Sequence, residues 1–248
     1  MPSDVSTFLY GAVAGGVVTL GLRLVETYWI GPRLTASREA REKLLLYSRH
    51  LYFSCAQAEF RLKHISQQMR ERKLNAISSL KLSPKDAKSL EWFTKEGYYV
   101  TSTAYLIALV ACWIVILQRD VVFLPFKQKA DTTEFLSLVE RLKTGLSTRT
   151  ILWYHYVDGL GESLVLKGTE KPQPMGISAF SEKLFQDSTC REYYDQLFQF
   201  LSKVASGVYL SKIEQAAETL ADMRRFLVVK HAVSEIQISD TDLPPISD

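Results

Sequence analysis

From Tyr98 to Gln118 the chain runs for 21 residues without a charge, YYVTSTAYLIALVACWIVILQ. A stretch this apolar must be kept from water, either by a bilayer or by other helices. Length and hydropathy alone permit a membrane span. Its first third, however, is rich in Thr, Ser and Tyr, and a helix ringed by others is also apolar all round. The amphipathic segments on either side need a core to pack against. The stretch therefore reads as the buried central helix of a mainly α domain. The competing expectation is a second span, and with it a small two-span membrane protein or transport subunit.

A second apolar stretch, Phe8 to Val25, carries one charge, Arg23, near its inner end. Eighteen helical residues reach roughly 27 Å, enough to cross a bilayer core. No Lys or Arg precedes it, whereas Arg23, Arg33, Arg38, Arg41 and Lys43 lie at its end or beyond. That asymmetry predicts an anchor with the N-terminus outside and the following domain in the cytoplasm. Gly11 and Gly15 form a G-x-x-x-G, and Ala12 with Gly16 a second pair of small residues. Such spacing lets two helix backbones approach closely, so homodimerisation is an expectation too. From Arg23 to Gly97 there are 15 basic residues against 8 acidic, a balance that suits contact with anionic headgroups. The organisation expected is an anchor and exit turn over residues 1–33, a helical bundle over 34–233, and an acidic disordered tail over 234–248.

Within the bundle, Ile30-Gly31-Pro32 marks the exit from the membrane, and a long amphipathic helix follows from about Ser37 to Lys73. Leu44, Leu51, Cys55, Ala58, Leu62, Ile65 and Met69 recur at three- and four-residue steps, with Arg49, Arg61, Arg70 and Arg72 opposite. Ser83-Pro84-Lys85-Asp86 predicts a helix start, its helix reaching Phe93, with Gly97 as a kink or break. Asp131 to Glu134 caps a short helix. Ile151 to Val157 leads either into a hairpin with Leu164 to Leu166 or, through Gly159-Leu160-Gly161-Glu162, into another helix. After a polar loop come a short helix, a second opened by a Thr189-x-x-Glu192 capping box, and a third after a turn at Gly207. The last two form an antiparallel pair.

The search for chemistry returns little. His50, His64, His155 and His231 fall in no metal-binding spacing, and Cys55, Cys112 and Cys190 in no C-x-x-C, so no metal or cofactor is expected. Three widely separated cysteines fit buried, reduced thiols rather than a disulfide framework. Gly159-Leu160-Gly161 lacks the third glycine and the Lys-Ser/Thr of a phosphate loop. Nucleic-acid binding is not expected, because Arg70 to Lys73 is the nearest thing to a basic cluster. If an acid–base site exists, His155 with Asp158 and Glu162 is its place, an imidazole beside two carboxylates.

The span from Phe93 to Phe126, with Tyr99-Val100-x-x-Thr103-x-Tyr105 and Trp113 before Arg119, resembles a stretch of uncharacterised bacterial helical proteins. That resemblance implies a helical fold and brings no activity or catalytic residue. The sequence thus predicts a membrane-tethered helical interaction or scaffold protein, with the lipid bilayer and a protein partner or second copy as its contacts. An unrecognised enzyme with a site near His155, Asp158 and Glu162 is the alternative.

Overall fold

The computed structural model describes residues 31–71, 78–120, 129–148, 150–169 and 172–231. The anchor stretch with Phe8, Gly11, Gly15, Gly16 and Arg23, and the acidic tail, lie outside the described residues. The chain divides into two units, Met1–Leu44 and Leu45–Asp248. In the first, the described residues are helical throughout. The second is mainly helical. Seven α-helices occur among the described residues: α1 Gly31–Arg70, α2 Tyr98–Asp120, α3 Lys129–Leu146, α4 Tyr156–Leu164, α5 Ile177–Gln186, α6 Ser188–Ala205 and α7 Leu210–His231. They contain no strand, only an isolated bridge between Val165 and Pro174.

The uncharged stretch becomes α2, and 89% of its most apolar window is covered by the protein itself. Val100, Ala104, Ala108, Cys112 and Leu117 are fully enclosed. α1 supplies one wall through the periodicity read from sequence: Leu51, Cys55, Ala58, Leu62 and Ile65 are all buried. α7 runs antiparallel to this part of α1. Cys55 Sγ lies 3.6 Å from Met223 Sδ, and Arg70 pairs with Glu214 at 2.7 Å further along. α3 packs antiparallel on the other side of α7, with Phe135 against Phe226 at 6.0 Å between ring centres and Arg141 bonded to Asp222.

α4 crosses α2 at closest approach through Gly161. A Cβ on that residue would stand 2.5 Å from the Ala111 carbonyl oxygen and 2.9 Å from the Cys112 nitrogen. Of the two readings for Ile151 to Val157, a turn feeding a helix is the one adopted, with both glycines inside α4. α6 and α7 meet in a turn where Gly207 takes φ +82°. Its N–H bonds to the Val204 carbonyl and the Val208 N–H to that of Lys203, the paired capping bonds of a Schellman turn.

Four local expectations are corrected. Pro84 to Phe93 is not one helix but two 3₁₀ turns, Pro84–Asp86 and Leu90–Thr94. Pro84 and Phe93 are both buried, and nine residues at 100° each would set them on opposite faces of a continuous helix. Breaks at Ala87 and Ser89, both extended, turn the two inward. The helix after them begins at Tyr98, so of the two expectations for Gly97 the break is the one adopted. The capping box at Thr189 is replaced by Asp187, whose carboxylate accepts from the Cys190 N–H at 3.1 Å; aspartate is the stronger cap. Asp131 sits inside α3, not before it, held by Lys230 at 2.8 Å.

Arg61 is the fourth correction. It turns away from solvent and stacks over the Tyr99 ring at 4.4 Å. Its Nη1 donates to Ser102 Oγ, Thr103 Oγ1 and the Tyr99 carbonyl at 3.1, 3.2 and 3.3 Å. The long stem reaches the polar first turns of α2, the part that looked least like a membrane span.

His50 stacks flat on Trp113, 4.6 Å between ring centres. Burial, and then the neighbouring Arg49 charge, hold its imidazole below the usual range. An unfolded chain therefore takes up that proton first as the solution is acidified. Stability is expected to be full above the ordinary imidazole range and to fall as pH drops through it towards the lowered value. In His50→Gln that slope flattens, read from urea midpoints along the acidic limb.

Candidate functional site

His155, Asp158 and Glu162 come out on one stripe, since residues three and seven apart share a helix face. His155 is the residue just before α4 and the other two lie within it. The three side chains do not bond to one another: no side-chain hydrogen bond or ion pair joins any two of the three among the described residues.

Each is bound elsewhere. Asp158 pairs with Lys143 of α3, its Oδ1 at 2.7 Å and its Oδ2 at 2.9 Å from Nζ. Lys143 is 8% exposed, so the carboxylate is what makes its burial tolerable. The ammonium also lies 5.3 Å from the centre of the Tyr154 ring, and the Tyr154 hydroxyl donates to Glu140. Glu162 pairs with Arg119 at the end of α2, 2.6 Å apart and more than half exposed on both sides. His155 is exposed and meets the Tyr154 ring edge-on at 5.1 Å.

Aromatic side chains of α4 and α6 complete the surroundings. Tyr193 of α6 lies over α4, its ring 5.0 Å from that of Tyr156, and the Tyr156 hydroxyl donates to the Tyr193 carbonyl. Burial, with Tyr193 next, raises the Tyr156 phenol well above its usual range, so it stays a donor at any ordinary pH. Tyr194 is buried, its hydroxyl 2.7 Å from Ser163 Oγ. Trp153, at the turn before α4, is 63% exposed. The aromatic run from Trp153 to Tyr156 was the only signal in the sequence for this cluster. Lys143, Arg119 and Tyr193 are far along the chain and left none.

Chemically, the arrangement offers an aromatic shelf edged by ion pairs. A general base needs a free lone pair within hydrogen-bond reach of its target; Asp158 meets Lys143 with both oxygens, whereas Glu162 meets Arg119 with one. Between α1, α2, α3, α4 and α7 there is an apolar void of about 10 Å³, lined among others by Ala58, Leu62, Ile107, Leu142, Val157 and Leu220. That is room for a water molecule at most, not for a substrate. Among the described residues no cluster of three His, Cys, Asp or Glu side chains could hold a metal ion. No protein family, curated protein or solved structure matches the chain.

Proposed function

We propose that this chain is a membrane-tethered helical protein whose work is to hold a partner chain at the membrane. The tether is Phe8 to Val25, with the N-terminus outside and the helical part in the cytoplasm, as the charge asymmetry of the sequence suggests. The observation that supports an interaction role is the exposed shelf beside α4. Trp153 stands 63% in solvent with Tyr193 at 36% on the neighbouring helix, the residue types that dominate binding energy where proteins meet. The protein's coverage of α2 favours a single span over two.

The test is cross-linking at the shelf. With a photoreactive residue at Trp153, the full-length chain in its native membrane is expected to give a defined heavier adduct, either with itself or with a second protein. The same residue at Glu192 serves as the control. Monomer alone at both positions would overturn the interaction reading. The enzyme reading has its own check: His155→Ala leaves the fold intact, so a phenotype lost with that variant and unchanged stability would favour chemistry at the stripe.

A further inference from the structure

The part of α1 between Leu45 and Arg70 has two faces, and only one is used by the core. The outward face carries Leu45, Leu46 and Phe60, each more than two-fifths exposed, with Phe53 half-buried between them. Arg49, Lys63 and Arg70 lie on the same side, exposed, within a helical arc of about 120°. From Leu45 to Arg70 the only carboxylate in the sequence is Glu59. It is turned inward, 8% exposed, and bound to Lys63 and Arg224. Between Leu45 and Arg70 the outward face is thus apolar and basic, with Lys63 held by Glu59 and Arg70 by Glu214; the nearest exposed acid, Glu71, lies just past its end and is bonded to Gln67.

We infer that this face of α1 lies against an anionic lipid surface. Leu45, Leu46, Phe53 and Phe60 would enter the boundary between headgroups and acyl chains, while the Arg49 and Lys63 stems reach the phosphates. Apolar residues mixed with basic ones are the composition that interfacial helices use. The charge argues for lipid over a protein surface: a protein partner would have to present acid along the entire face, whereas a bilayer rich in anionic lipid does so everywhere. The inference rests on the tether in one respect only. A chain already held at the membrane meets the surface at high effective concentration, so a modest attraction suffices.

The protein supplies a clean way to test this. Cys55, Cys112 and Cys190 are all buried, and burial raises the Cys55 and Cys190 thiols, leaving them poor targets for maleimide. In the full chain, a thiol introduced by Gln57→Cys reports on the outward face of α1, and Glu192→Cys on α6 is the control. Both are reconstituted into phosphatidylcholine vesicles, with or without phosphatidylglycerol. The expected result is labelling at the α1 position slowed about tenfold by phosphatidylglycerol, with the control unchanged; a basic residue at the surface contributes about fivefold, roughly 1 kcal/mol. High salt should abolish the difference. Arg49→Glu with Phe60→Ser, both exposed and away from the core, should bring the rate back to within about twofold of neutral vesicles.

Equal labelling in the two lipids, with the chain floating on both, would overturn the inference and leave the tether intact. Protection in both alike would overturn it too, since a second copy rather than lipid charge would be covering the face. Protection gained only from a co-purifying acidic protein has the same consequence. A chain that fails to float with neutral vesicles but is protected by anionic ones would sink the tether and sustain the lipid face.

Discussion

Gly161→Ala is expected to destabilise the protein by about 2–3 kcal/mol, although alanine is the better helix former by about 1 kcal/mol. The added methyl would meet the Ala111 carbonyl group at 2.5 and 2.6 Å and the Cys112 nitrogen at 2.9 Å. Those atoms are the backbone of α2, which is packed on several sides and has nowhere to retreat. α4 must lift instead, opening the contact that buries Leu160 and Leu164, both at 0% exposure. Gly159→Ala, two residues away, makes the informative comparison. Its methyl would collide at 2.0 Å with the Tyr193 hydroxyl, the far end of a partly exposed side chain that can swing aside. Urea midpoints should therefore separate the two variants clearly, Gly161→Ala falling and Gly159→Ala moving little. Equal midpoints would mean that α4 does not rest on α2 in this way.

The second large effect is expected at Glu59. Its carboxylate takes Lys63 at 2.7 Å through one oxygen and Arg224 at 2.8 Å through the other. Arg224 also lies 5.1 Å from the centre of the Tyr52 ring, with Nη2 bonded to the Tyr52 hydroxyl at 3.3 Å. Its Nε is buried without a hydrogen-bond partner. Glu59→Ala leaves this guanidinium between α1 and α7 with no counter-charge. Fully buried pairs cost about 3–5 kcal/mol when broken. The Arg224 side chain is 30% exposed, so water moderates the loss and about 2–3 kcal/mol is expected. Adding Arg224→Leu to Glu59→Ala should recover most of it, because the penalty belongs to the unpaired charge. Thermal or urea unfolding of the two single variants and the double variant measures this directly.

What the sequence revealed and what it hid divide along a physical line. Periodicity and end signals are local. They located α2 from its lack of charge, the inward face of α1 from its three- and four-residue steps, and the turn at Gly207. They failed where a distant contact outweighs local preference. Pro84 and Phe93 both needed to face inward, so a plausible helix became two short turns. Arg61 was assigned to water by its place on the helical wheel, but three acceptors and a ring on α2 draw it in. Asp187 took the cap that Thr189 was expected to hold.

The candidate site was legible to a similar depth. His155, Asp158 and Glu162 do share a face, as their spacing requires. Whether they could work together depended on Lys143, Arg119 and Tyr193, which no short-range pattern ties to them. A carboxylate in a sequence shows no partner; in the fold, Asp158 faces Lys143 and Glu162 faces Arg119.

Asp187 has one more consequence. It ends α5, with its N–H bonded to the Lys183 carbonyl, and also begins α6, with its carboxylate on the Cys190 N–H. One residue is therefore the entire joint between two helices that face each other through Phe180 and Tyr194, 4.9 Å apart. A longer connection could absorb an inserted residue by bulging. This one has no spare length, and each insertion would rotate α6 by about 100° relative to α5. Phe198 and Leu201 would then leave the core together with Tyr194. The joint should tolerate changes of side chain far better than changes of length, which makes 186–189 a place where the chain's spacing, more than its chemistry, is under constraint.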